Sequence, residues 1–213
     1  MERLVSVEGR VPRGRHVGFE CVRCEAGGQV FPDGTLEVES STFEGCELSN
    51  FIVHGGRFCD ISVVGAKCAA FVHFVGCVFV RVRLAGRLRG NVKLSPPLEG
   101  DRIYSGVDWA LDVRGVEATV GFALLGVPPP LVRSTAGVDW LVTRDSAKSA
   151  NLGVLMGMPG GWWAASISRL LESDVEAMVI LGPRGNSLAT RNSAESVAWC
   201  VKAGVMLPIP VTP

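Results

Sequence analysis

Residues 38–68 read VESSTFEGCELSNFIVHGGRFCDISVVGAKC. Apolar side chains recur at every fifth position: Val38, Phe43, Leu48, Val53, Phe58, Val63 and Cys68. That spacing fits neither the 3.6-residue period of a helix nor the two-residue period of a flat strand. It fits a square coil whose sides are each a short strand plus a corner. Strand side chains alternate, so a second inward residue sits two positions earlier. Those positions hold Ser41, Cys46, Phe51, Gly56, Ile61 and Ala66, small or apolar for the most part. After Ala70 the phase changes: Phe74, Phe79 and Leu84 take the large positions, with Val72, Cys77 and Val82 as their companions.

Cys46-Glu47-Leu48-Ser49-Asn50 comes near the motif of the pentapeptide-repeat family, and Gly56-Arg57-Phe58-Cys59-Asp60 follows it more loosely. Roughly residues 38–90 resemble that family, which implies a right-handed quadrilateral β-solenoid. Val63-Val64-Gly65 and Phe71-Val72-His73-Phe74 are more apolar on the outside than a free-standing solenoid allows, so a covering segment is expected there. A β-sandwich or an antiparallel sheet of short strands is the competing reading.

Outward from this core the charge is uneven. The chain has 21 basic and 21 acidic residues in 213, which argues against a general polyanion binder. Between Asp60 and Glu99 there is no acid, whereas Lys67, Arg81, Arg83, Arg87, Arg89 and Lys93 all fall there. Arg81-Val82-Arg83-Leu84 alternates, with the arginines outward. Such a run protects a sheet edge against pairing, stays solvated, or binds an acidic partner. No aromatic residues interleave it, which disfavours nucleic acid.

Pro96-Pro97 marks the expected boundary, giving a β-solenoid-like domain at 1–97 and an α+β domain at 98–213 packed on it. The expected class is mainly β, a short right-handed solenoid-like N-terminal half followed by a smaller α+β part. Ahead of the coils, Leu4–Val7, Phe19-Cys21 and Val30-Phe31 read as short strands. Beyond the boundary, strands are expected near 107–113, 116–125, 131–132 and 140–143, a helix over 162–171, and a buried strand over 176–181. Asn192 with Glu195 reads as the capping start of a last helix that ends before Gly204. Phe43–Leu48 matches Phe74–Phe79, and Gly106–Trp109 matches Gly137–Trp140, with the same separation in both pairs. This is a weak internal repeat. The uncharged run 149–168 reads as core with a turn at Pro159-Gly160-Gly161, not a membrane span.

Chemistry is sparsely signalled. Cys21 and Cys24 have zinc-knuckle spacing but lack a second pair, so no metal and no cofactor is expected. The seven cysteines are odd in number, and the opening MERLVSVEGR has acid and arginine where an apolar leader would stand. A reducing cytoplasm with free thiols is expected. If the chain is an enzyme, Asp108, Asp139, His54 and His73 are the candidates, as a hydrolase or lyase acting on carbohydrate. Gly182-Pro183-Arg184-Gly185 stands where a phosphate loop would, without its motif. The leading expectation is a non-enzymatic protein-interaction module, of the regulatory or immunity type known among small bacterial proteins. Its contacts would be Arg81, Arg83, Arg87, Arg89 and Lys93, made to an acidic protein or to a second copy.

Overall fold

The computed structural model describes residues 14–18, 20–22, 25–30, 36–68, 70–89, 91–97, 100–120, 122–161 and 163–210, and its account of side chains begins at Leu36. The expected strand at Leu4–Val7 and the side chains of His16, Cys21, Cys24 and Phe51 lie outside the described residues.

Thirteen strands build the first body: β1 (Gly14–Val17), β2 (Glu20–Val22), β3 (Glu25–Val30), β4 (Leu36–Glu39), β5 (Thr42–Glu44), β6 (Glu47–Cys59), β7 (Ser62–Cys68), β8 (Phe71–Val80), β9 (Val82–Leu88), β10 (Asn91–Ser95), β11 (Leu111–Ala118), β12 (Phe122–Leu124) and β13 (Val132–Arg133). All pairings among them are parallel. They stack as a β-solenoid of about four turns over residues 37–133. The every-fifth residues fall into columns, one for each side of the coil. Val38 stands against Phe58 and Phe58 against Phe79; Phe43 against Val63 and Val63 against Leu84. Leu48 stands against Cys68 and Val53 against Phe74. Four five-residue steps therefore close one coil, and the antiparallel alternative is set aside.

The phase change has a simple cause. Leu48 pairs with Cys68, but Phe51 pairs with Val72, one position further along than the same offset would place it. The third coil takes up one extra residue between Cys68 and Val72, at the place where the sequence register slips. It gives that residue back between Leu84 and Gly86, where the partners are Val63 and Ala66. Aromatic rings meet at its centre: Phe58 stacks on Phe79 at 5.7 Å, and Phe74 meets both edge-on at 6.0 and 5.6 Å.

The strands after Pro97 continue the stack. β11 pairs with β9 and β13 with β11. Cys68 pairs with Leu88 and Leu88 with Ala118, so the later coil is much longer than the one before it. The surplus is the segment 96–110, which contains a short 3-10 helix, Gly100–Tyr104. Strand alternation turns Val78 and Val80 outward from Phe79, yet they are buried in one cluster with Tyr104, beside Ile103 and Val107. Val64, where a cover was also expected, is 43% exposed.

The second body comprises β14 (Trp140–Thr143), α1 (Arg144–Lys148), α2 (Leu152–Gly157), α3 (Trp163–Glu172), β15 (Ala177–Leu181), α4 (Leu188–Lys202) and β16 (Leu207–Pro208). Antiparallel pairing in the order β12, β15, β14, β16 extends one side of the solenoid. β15 is buried on both faces. Val179 and Leu181 join the solenoid core, while Met178 and Ile180 join a second core with Trp163, Ile167 and Leu170 of α3.

Three expectations need correction. α4 begins at Leu188, because the Ser187 hydroxyl accepts from the Thr190 amide and caps it there; Asn192 lies inside the helix. The run 149–168 is not all core, since α2 leaves Val154 and Met156 exposed. The recurrence of Phe43–Leu48 as Phe74–Phe79 does not stack: Phe43 pairs in β5 with β7, whereas Phe74 pairs in β8 with β6 and β10. The separation of the two segments is not a whole number of coils, so they fall on different sides.

Candidate functional site

β9 is an inner strand, flanked by β7 and β11. Arg81, Arg83, Arg87 and Arg89 therefore do not guard an edge. The basic interval was legible, but the strand that covers it comes from beyond the 96–110 segment.

Each cation meets a different neighbour. Arg81 and Asp60 sit one coil apart at the same corner, both with positive φ (53° and 54°). The guanidinium grips the carboxylate through Nε at 2.6 Å and Nη2 at 2.8 Å, and this holds the Asp60 carboxyl below its usual range. Arg87 reaches its register partner Glu117 at 3.1 Å, both well exposed. Arg89 is exposed. Lys93 is half-buried, with its ammonium 5.1 Å from the Phe71 ring centroid.

Arg83 leads to a denser arrangement. Its register partner in β11 is Asp112, whose partner in turn is Arg133 of β13. Asp112 is buried, with a side chain only 5% exposed. Arg114 holds it through Nε at 2.9 Å and Nη2 at 2.7 Å, and Arg83 approaches to 3.7 Å. The Arg114 hydrogen bond, above all, holds the Asp112 carboxyl below its usual range. Arg133 lies 4.3 Å over the Trp109 ring. Two arginines thus hold one carboxylate that is itself turned away from solvent, with Arg133 in register beside it, while Arg83 and Arg114 keep 60% and 56% of their side-chain surface. Sequence reading missed Asp112, Arg114, Arg133 and Trp109. The alternation Leu111-Asp112-Val113-Arg114 was a signal for the first two.

The candidate catalytic residues are placed apart in environment. Asp108 is exposed. Asp139 is wholly buried, accepting from the amides of Thr135 (2.7 Å) and Gly182 (3.0 Å) and from Arg184 on both oxygens at 3.0 Å. Every described contact of this carboxylate is structural, and no solvent reaches it. Arg184 also donates to the Val116 carbonyl, and its amide donates to Ala118. It is spent on tying the second body to β11, not on a phosphate loop. His73 shares a 2.7 Å hydrogen bond with Ser95. His54 lies on the same side of the coil, since its register partner is Val75.

Between β10, β12 and α3 lies a small open groove, lined in part by Lys93, Ser166 and Arg169. Among the described residues no cluster of histidine, cysteine and carboxylate is placed to hold a metal ion, and no helix is long and apolar enough to cross a membrane. No family model, curated protein or solved structure matches the chain.

Proposed function

We propose that the chain is a non-enzymatic interaction module that docks an acidic protein on the arginine cluster of β9, β11 and β13. The observation that carries this reading is the imbalance at Asp112: Arg83 and Arg114 share a single carboxylate that is almost hidden, and Arg133 stands at the register position beside it. Arginine forks that project from a rigid scaffold match surface carboxylates well, and an arginine stacked on tryptophan is a frequent anchor of binding energy. Arg87 and Arg89 prolong the surface. The stacking of Val38 on Phe58 and of Phe58 on Phe79 supports a pentapeptide-type repeat, whose outward positions are free to vary. The thiols of Cys59, Cys77 and Cys200, which form no disulfide, support a reducing compartment such as the cytoplasm.

The test is capture by the immobilised chain from nuclease-treated lysate of its own source, followed by identification and titration of the purified partner. Replacing Arg83 and Arg133 by glutamine should weaken that partner at least about tenfold and reduce the salt dependence of its association. An acidic partner held equally well by the double variant would overturn the assignment of this surface. So would a chain that captures only copies of itself.

A further inference from the structure

The groove beside α3 is separate from the arginine cluster. Lys93 of β10 and Arg169 of α3 both line it, and both are half-buried. Among the described residues neither makes an ion pair, unlike Arg81, Arg87 and Arg114, which each hold a carboxylate. Ser166, one turn before Arg169, lines the same groove. His73, the register partner of Lys93 in β8, adds an imidazole on the same side. The mutual effect of these groups is visible in their acidities. Burial first, then Lys93, Arg169 and His54, hold the His73 imidazolium below its usual range, and burial followed by Arg169 does the same to Lys93. Cations gathered at a partly desolvated place without a counter-charge destabilise the fold unless an anion occupies it.

We propose that this groove binds a phosphate group, held by the Lys93 ammonium, the Arg169 guanidinium and the Ser166 hydroxyl. The chemistry fits: a guanidinium fork and an ammonium point charge are the usual pair for phosphate oxygens, and a hydroxyl completes the donor set. The groove lies on the side of the coil that carries the second body, whereas the arginine cluster lies on the side formed by β9, β11 and β13. Ligand binding here is independent of the docking proposed above.

The experiment is titration of the full chain with inorganic phosphate and, in a parallel arm, with phosphoserine, read by calorimetry at low salt against an equal ionic strength of chloride. Both probes should bind the wild type. Lys93→Gln and Arg169→Gln should each weaken binding about tenfold or more, the loss expected for one charge-assisted contact. Ser166→Ala should weaken it less. Arg87→Gln, on another side of the coil, should leave it unchanged. Tighter phosphoserine identifies a phosphorylated organic ligand; tighter inorganic phosphate identifies the free ion. Circular dichroism checks that each variant is folded, and Arg169→Lys, which keeps the charge but loses the fork, gives a second reading if glutamine disturbs α3. Absence of binding by the wild type overturns the proposal. So does binding that Arg87→Gln weakens as much as Lys93→Gln, because that is general charge attraction.

Discussion

Gly86 stands where the third coil returns its extra residue. Its φ is +143°, and a Cβ there would lie 2.3 Å from the Ala66 carbonyl oxygen and 2.5 Å from the Ala66 nitrogen. Both obstacles are backbone of the adjacent coil, so neither moves alone. Gly86→Ala should cost about 3 kcal/mol or more in chemical denaturation, combining left-handed strain with a steric clash. Gly76→Ala is the control: its φ is also positive but its Cβ would meet nothing within 4 Å, so the cost there should be only the conformational strain, about 1 kcal/mol. Equal losses at the two sites would show that coil stacking has more slack at Gly86 than these close approaches imply. His73 gives a second residue-level expectation. Its folded pKa lies below the ordinary 6.5, so as pH falls the unfolded chain takes up the proton first. Stability should therefore decline as pH drops below about 6.5, until the folded form is protonated too. His73→Gln should flatten the unfolding midpoint between pH 7.5 and 5.5 relative to wild type; an unchanged slope would assign the decline to other groups.

Among the elements, the stacked strands β6 and β8 carry the interior of the solenoid. Phe58 packs face to face on Phe79 and edge to face on Phe74, bridging two adjacent sides of the coil. Phe58→Ala removes both contacts from a half-buried position, so about 2–4 kcal/mol is expected, below the loss for a wholly buried ring. Phe58→Leu should recover much of it. A near-neutral Phe58→Ala would mean the neighbouring coils collapse into the space. This element was legible in the sequence because its signal is local: one large residue in every five, read within a single coil. α4 was legible as a helix but not in its start, because Ser187 and Asn192 are both competent caps and the sequence alone does not rank them. The neighbours of the arginines were not legible. Arg83 and Asp112 are register partners across a segment that lengthens the coil, and nothing in the spacing 83 to 112 announces that. The match of Phe43–Leu48 with Phe74–Phe79 drew attention to the wrong period for the same reason: similarity along the chain competes with a stacking period that only hydrogen bonding fixes.

Over the whole molecule, the neighbouring strands β12 and β15 each contribute to both cores, and the ion pair of Asp139 with Arg184 fastens the seam. β15 gives Val179 and Leu181 to the solenoid and Met178 and Ile180 to the helical core. Just beyond it, Gly182 donates to Asp139, and Arg184 donates to both oxygens of Asp139 and to carbonyls of β11. Asp139 is wholly buried and the Arg184 side chain is 18% exposed, so removing the arginine strands a buried carboxylate as an uncompensated charge. Arg184→Met should therefore destabilise the protein by about 3–5 kcal/mol. Replacing both residues together, Asp139→Asn with Arg184→Met, should restore a good part of that, because the stranded carboxylate is gone. Hydrogen exchange locates the effect. If the pair fastens the two bodies, Arg184→Met should speed exchange in β11 and β15 together, on both sides of the seam, while β6 and β8 keep their protection. If instead the acceleration stays within α4 and the 182–187 turn, the pair stabilises only its own loop, and the shared strands β12 and β15 alone unite the cores.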